Sequence, residues 1–201
     1  MKSAESRVVR RAFVDSLPIL MGYVTMGFVA GVLLAAKGGI HFAPLWAALT
    51  SGAVVSGTFN FAMVMPIAER MPLLSFAILT LGINFRYCFY GFTMLKRWRN
   101  VRGFKKYFLI HMLTDETYAL EAAYTDPDEK LNLKYCLSLS AFDLLYWVVG
   151  VTSGAIAVAI LEQAIDPEVI RAHTNGMEFA MVALFLVILT DQIRGFCKHA
   201  K

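Results

Sequence analysis

The sequence predicts an all-α, polytopic helical membrane protein, and three observations carry that prediction. The chain of 201 residues is 58% hydrophobic with a mean hydropathy of +0.57. Only 17% of its residues are charged, fewer than an ordinary soluble domain carries. Four apolar runs, at 13–36, 42–68, 72–95 and 135–161, reach the roughly 20 residues with which a helix crosses a hydrocarbon core. A backbone in lipid must satisfy its own hydrogen bonds, which makes helices of these runs. A fifth run, 176–193, is marginal in length. The whole chain, 1–201, reads as one transmembrane domain embedded in the lipid bilayer.

Composition also excludes. The net charge of +4 comes mostly from stretches between the runs, so it speaks of membrane orientation; no basic and aromatic interleaving marks a nucleic-acid face. Cys88, Cys136 and Cys197 are widely spaced, as are His41, His111, His173 and His199, so neither a disulfide framework nor a metal site is expected. The sequence calls for no cofactor. The first run is too long for a signal-peptide core and contains Asp15 and Pro18, so it reads as a retained helix.

Taken in order, residues 1–11 carry Lys2, Arg7, Arg10 and Arg11 and form an interfacial lead-in. The first run then holds Pro18, which removes a backbone donor, and Gly22, Gly27 and Gly31, which let another helix approach closely. The second run puts Ser51, Ser56, Thr58 and Asn60 at mid-length, with Gly52 and Gly57 beside them. Two readings stand: a helix broken near Gly57 that exposes backbone groups to a ligand, or a continuous helix whose hydroxyls bond their own carbonyls.

The third run contains the most expensive group in the chain. Arg86, with Asn84 two residues before it, lies about ten residues, or roughly 15 Å of helix, from the Lys96 end. An arginine there must pair with an acid or line a wet cavity, as a structural bridge or as part of a substrate or ion site. The run ends in six cations between Lys96 and Lys106, with Trp98 among them, the pattern of a cytoplasmic boundary. If the N-terminus is cytoplasmic too, three full crossings would place this cluster outside. Either the chain begins outside, or one of the first three runs re-enters without crossing.

Residues 107–124 hold three consecutive polar positions, Thr114, Asp115 and Glu116, which make an uninterrupted span expensive. Thr114 fits the cap of a short helix whose first turn contains both acids. The expected form is an amphipathic helix lying at the interface. After the loop 125–130, the fourth run carries Asp143 early and Gly150 and Gly154 midway. A polar link, 162–175, leads to Gly176 and Glu178.

Two patterns recur. Tyr23, Gly27 and Gly31, four residues apart, return as Tyr146, Gly150 and Gly154. Phe61-Ala62-Met63-Val64 returns as Phe179-Ala180-Met181-Val182, which aligns Asn60 with Glu178. The reading is an internal, inverted helix repeat with units 13–95 and 135–194, joined by the basic and polar segment 96–134. A transporter site would then lie where the units meet, with Asn60 and Glu178 as partners across a pseudo-twofold axis. The second unit ends before any third span, so either another subunit completes the structure or this chain is shorter than its ancestor.

Pro18-x-x-x-Gly22-Tyr23, Asn84-Phe85-Arg86-Tyr87, Leu113-Thr114-Asp115-Glu116-Thr117 and Gly176-Met177-Glu178-Phe179-Ala180 follow one another along most of the chain. In these pieces the sequence resembles the AzlC family, the large subunit of bacterial branched-chain amino acid exporters. The resemblance implies export of valine, leucine and isoleucine, sometimes methionine, together with a small hydrophobic AzlD-like subunit. It puts Asn84, Arg86, Thr114, Asp115 and Glu116 at functional positions. Where the family usually has glutamine in the second run, this chain has Asn60. Family members also usually continue with further apolar sequence after the stretch matching 176–190.

The function expected is therefore a multi-pass exporter in the bacterial inner membrane, driven by the proton motive force. A zwitterionic substrate needs an anion partner, a cation partner and an apolar cavity. Arg86 would receive the carboxylate, while Glu178 or Asp143 would receive the ammonium or carry a coupling proton. The other reading is an accessory subunit whose polar groups only hold helices together. An enzyme is not expected, since no HExxH, GxSxG, phosphate-loop or Cys/His pattern is present.

Overall fold

Helix α1 (Lys2–Lys37) runs unbroken through Pro18, so that proline does not break the first run. The second run does not form one span. It divides into α2 (Ala43–Ala53), an extended stretch at 54–56, α3 (Gly57–Ala62) and α4 (Val64–Ala68). The third run is α5 (Leu73–Asn84) and α6 (Arg86–Leu95), bent by 48° at Phe85. Thr80 and Asn84 both bond the carbonyl four residues back, the local competition that bends helices. Next come α7 (Phe104–His111) and α8 (Asp115–Ala123), the long α9 (Glu129–Leu161), α10 (Pro167–His173) and a short 3-10 turn, Met177–Phe179. The computed structural model describes residues 2–180 and, beyond them, 182, 183, 186, 187, 189, 190, 193 and 194; the rest of the fifth run, Met181 included, lies outside the described residues. Among the described residues two helices, α1 and α9, are long and apolar enough to cross a membrane alone, and the bent pair α5–α6 is so when taken together.

The frame is the crossing of α1 and α9, made on glycine. A Cβ placed on Gly31 would sit 1.9 Å from the Val151 carbonyl oxygen, and one on Gly154 would sit 2.0 Å from that of Phe28. The contacts are reciprocal. Gly31 meets Val151 and Ala155, while Gly154 meets Phe28 and Val32, the same positions in the other copy of the repeat. Gly27 lies against the backbone of Gly150 and Val151, and Gly150 against that of Tyr23 and Val24. The helices also run parallel: Tyr135 donates to Asp15 near the start of both, and Val32 and Ala36 pack with Val158 near the end of both. The matching glycine patterns of the two helices thus meet reciprocally, and because the helices run parallel this pair is not inverted. Small residues let two such backbones touch, and the gain is packing that larger side chains would forfeit.

The faces of the bundle follow from the contacts. Val8 and Ala12 of α1 share a core with Met94, Trp98, Leu109, Tyr135 and Cys136. This near face therefore holds the start of α1, the end of α6 and the start of α9. At the far face, Gly38, Gly39 and Ile40 line one cavity of about 840 Å³ together with Ile67, Ala68 and Arg70. The second run thus starts and finishes at the same face, so it is a re-entrant hairpin. Arg97, just past α6, donates to the carbonyls of Glu121 and Tyr124, which returns α8 to the near face where α7 began. Residues 104–124 are a second hairpin, from the opposite side, and not the interfacial helix expected from the sequence. Re-entry removes the orientation conflict: both basic stretches, 1–11 and 96–106, share the near face, so the excess of cations falls on one side.

Two outcomes test this frame. Gly31→Leu or Gly154→Leu should destabilise the protein by about 3 kcal/mol or more, since no rotamer clears a backbone oxygen, whereas Gly91→Ala, with nothing within 4 Å of its new Cβ, should melt like the parent. In sealed vesicles of a cysteine-free variant, single cysteines placed at Ser6 and Lys105 should label from one side and a cysteine at Glu162 from the other.

Candidate functional site

The two hairpins put their breaks face to face. In the first, Val54 and Ser56 are extended, and the Ser56 hydroxyl caps α3 by accepting from the Phe59 N–H at 3.4 Å. A helix interrupted in lipid leaves carbonyls without partners. Asn60, 1% exposed, adds bonds at the break: its amide donates to Val54 O at 3.0 Å and Ser56 O at 2.9 Å, carbonyls that also accept the backbone N–H groups of Ser56 and Asn60. In the second hairpin the chain breaks at 112–114, and Thr114 caps α8 as the sequence predicts, accepting from the Thr117 N–H at 3.3 Å. Asp115 and Glu116 then occupy the first turn, where the helix dipole favours acids. His111 at the end of α7 meets the Gly52 carbonyl at 3.4 Å, joining one hairpin to the other.

Arg86, the first residue of α6 after the bend, points between these breaks. One of its terminal nitrogens donates to Asp115 Oδ2 at 2.7 Å; the other donates to Thr58 at 3.1 Å and to the Tyr87 hydroxyl at 3.4 Å. Tyr87 in turn donates to Ser56 at 3.2 Å. The ion pair is not dry, for its side chains are 32% and 35% exposed. Arg86 Nε and Asp115 Oδ1 have no hydrogen-bond partner among the described residues.

A cavity of about 110 Å³ lies around this pair. Gly22, Tyr23 and Met26 of α1, residues 55–58, Arg86, Tyr87, residues 114–116 and Trp147 of α9 line it. Tyr23 lies 14 residues before the end of α1, roughly 21 Å of helix, so the cavity is deep in the bilayer. Its hydroxyl bonds Thr114 at 2.7 Å and donates to Glu116 at 2.9 Å. Its repeat counterpart Tyr146 instead meets Ser16 at 3.1 Å, so the reciprocity of the two helices ends at this polar site.

The structure thus gathers Arg86, Thr114, Asp115 and Glu116 with Gly22 and Gly57 around one space. Asp143 stands behind it, buried, accepting from Thr117 at 2.8 Å. Asn60 braces the break from its outer side, and Asn84 sits at the bend, bonded to Thr80. Gly27, Gly31, Gly150 and Gly154 pack the frame, while Gly176, with φ of +90°, turns the chain into its last described segment. Glu178 is elsewhere. It pairs with Lys37 at 3.0 Å on the far face and shares no hydrogen-bond partner with Asn60. Hydrogen bonds from its own backbone and from Lys37 hold its carboxyl below the usual carboxylate range.

Sequence reasoning missed Thr58 as an arginine partner, Trp147 as cavity wall, and Tyr23 as a site residue, since it stood out as the start of the glycine repeat and within a family motif but was given no role. It also missed Glu121, fully buried one turn beyond Thr117.

Opposed re-entrant hairpins meeting at a mid-membrane ion pair define a membrane protein built around a small polar cavity. The family model described as AzlC protein matches residues 18–161, and the chain belongs to that family. It is similar to the branched-chain amino acid transport protein AzlC of Bacillus subtilis, 27% identical over 94% of this chain and 70% of that one. It is also similar to an uncharacterized membrane protein of Helicobacter pylori, 28% identical over 96% of this chain and 79% of its relative, and to one of Haemophilus influenzae, 27% identical over 92% and 71%. No solved structure matches the chain.

The brace at the first break is open to measurement. Ser56→Ala removes both the α3 cap and the bond from Tyr87, and should lower stability by about 1 kcal/mol, read as a drop in melting temperature of the purified protein.

Proposed function

We propose that this chain is the large subunit of an amino acid exporter of the bacterial inner membrane, driven by the proton motive force, that moves valine, leucine, isoleucine and methionine. The observation that carries the reading is the partly exposed Arg86–Asp115 pair lining a small cavity that also has an apolar wall. A zwitterion supplies one carboxylate and one ammonium. Its carboxylate meets Arg86, whose planar fork receives carboxylates in a fixed geometry. Its ammonium meets Asp115 and Glu116 on the first turn of α8. Met26, Val55 and Trp147 then face the side chain, which favours aliphatic over polar substrates. The name of the Bacillus subtilis relative supports the same substrate class.

A small hydrophobic AzlD-like subunit belongs to this reading. Leu74, Ile78, Leu81, Phe85, Phe89 and Phe92 form an exposed apolar stripe along α5–α6, which lipid or such a subunit would cover.

Purified protein should be protected from heat by L-leucine, and isovalerate or isoamylamine, which keep one charge each, should protect poorly. Arg86→Lys should fold yet bind leucine about tenfold or more weakly, because an ammonium does not reproduce the fork. Equal leucine affinity in that variant would take Arg86 out of the site, and a folded parent that ignores leucine would favour the accessory role.

A further inference from the structure

From the cavity wall a line of hydroxyls runs inward to Asp143. It starts at Glu116, which accepts from Tyr23 at 2.9 Å. Tyr23 bonds Thr114 at 2.7 Å, Thr114 bonds Thr117 at 2.9 Å, and Thr117 reaches Asp143 at 2.8 Å. Two carboxyl groups thus end a chain of three hydroxyls drawn from α1, α8 and the break before α8. Thr117 and Asp143 are fully buried, and Asp143 Oδ1 has no hydrogen-bond partner among the described residues. A carboxylate in that position has one neutral hydroxyl to balance it, and the groups around it are acidic or phenolic: Glu116 and Glu121 of α8 and Tyr23 of α1. Arg97 acts on Glu121, toward the near face.

The hydrogen count is informative. The line has four oxygen–oxygen gaps, each of hydrogen-bond length, but its three hydroxyls bring one hydrogen apiece. One more proton fills every gap, and it can sit on either end. With the proton on Glu116, each hydroxyl donates toward Asp143; with the proton on Asp143, each donates toward Glu116. When the proton passes, every hydroxyl gives up one hydrogen and takes another, so no net charge is left inside the line. Thr114 has room for this, since its second lone pair already accepts the Thr117 N–H.

We propose that Asp143 is the proton-carrying residue of this protein, exchanging one proton with Glu116 at the cavity through Tyr23, Thr114 and Thr117. The proposal rests on the transport reading for its purpose: a substrate ammonium arriving at Glu116 favours the ionised form there and sends the proton to Asp143. Substrate and proton would then be linked by competition at one carboxylate.

Two measurements on the full chain test it, one independent of transport. In infrared difference spectra taken across an alkaline titration, the parent should show a protonated-carboxyl band that vanishes in Asp143→Asn and shifts in Thr117→Val; the same band in folded Asp143→Asn would overturn the proposal. In proteoliposomes, both variants should keep leucine counterflow, which needs no net proton movement. Leucine accumulation driven by a pH gradient should fall about a hundredfold, the usual loss when a positioned proton-transfer group is removed. Undiminished accumulation, or equal loss of counterflow and accumulation, would overturn the coupling role. A parent without leucine counterflow would sink the transport reading alone, leaving the infrared band to decide on the proton line.

Discussion

A guanidinium at mid-membrane has to be answered there, and the fold is shaped by that need. Arg86 sits some 15 Å from the near face, too deep to reach water by stretching. A carboxylate must be delivered to the same depth, and a carboxylate on a through-going helix would be as costly as the arginine. The second hairpin solves this by ending a helix in the membrane: the cap at Thr114 and the open first turn of α8 stabilise Asp115 where it meets Arg86. The first hairpin completes the shell with Thr58 and, through Tyr87, Ser56. Non-helical backbone survives in the bilayer only where protein or a cavity receives it, so each break depends on the other.

The hairpins need a rigid wall to close on, and α1 and α9 provide it. Their glycine crossing brings two backbones into contact over Gly27, Gly31, Gly150 and Gly154, just beyond Tyr23 and Trp147 at the cavity. One repeat thus serves two ends. Its small residues make the symmetric contact, while its aromatic residues depart from symmetry: Tyr23 turns to the polar site and Tyr146 to Ser16.

Much of this was legible in residues whose chemistry is local. Arg86 announced a partner or a cavity because its position is costly in any helical membrane protein. Thr114, Asp115 and Glu116 spelled a helix start, and the spacing of the glycines spelled a close crossing. What sequence alone could not settle was direction. An apolar run of 27 residues at 42–68 reads the same whether it crosses or folds back, and only the shared cavity of Ile40 and Ile67 decides. Nor does a repeat disclose whether its copies run parallel; Tyr135 on Asp15 does. Asn60 was read as facing a ligand, yet its amide bonds the carbonyls of Val54 and Ser56 at the break, a role that appears only once the break is known. Glu121 escaped notice because an acid in a short, moderately polar segment looks solvated until α9 covers it.

Hairpins that enter from opposite faces also set how charge at the site feels the membrane potential. Cavities of about 840 Å³ and 570 Å³ lie at the far and near ends, lined by Arg70 and Arg171 on one side and by Lys96 and Arg97 on the other. Neither is lined by residues 54–58 or 112–116, so the two breaks stand inside the layer across which the potential falls. A full charge carried across that layer is worth about 2.3 kcal/mol for each 100 mV. A charge held between the two breaks therefore feels the voltage in proportion to its depth.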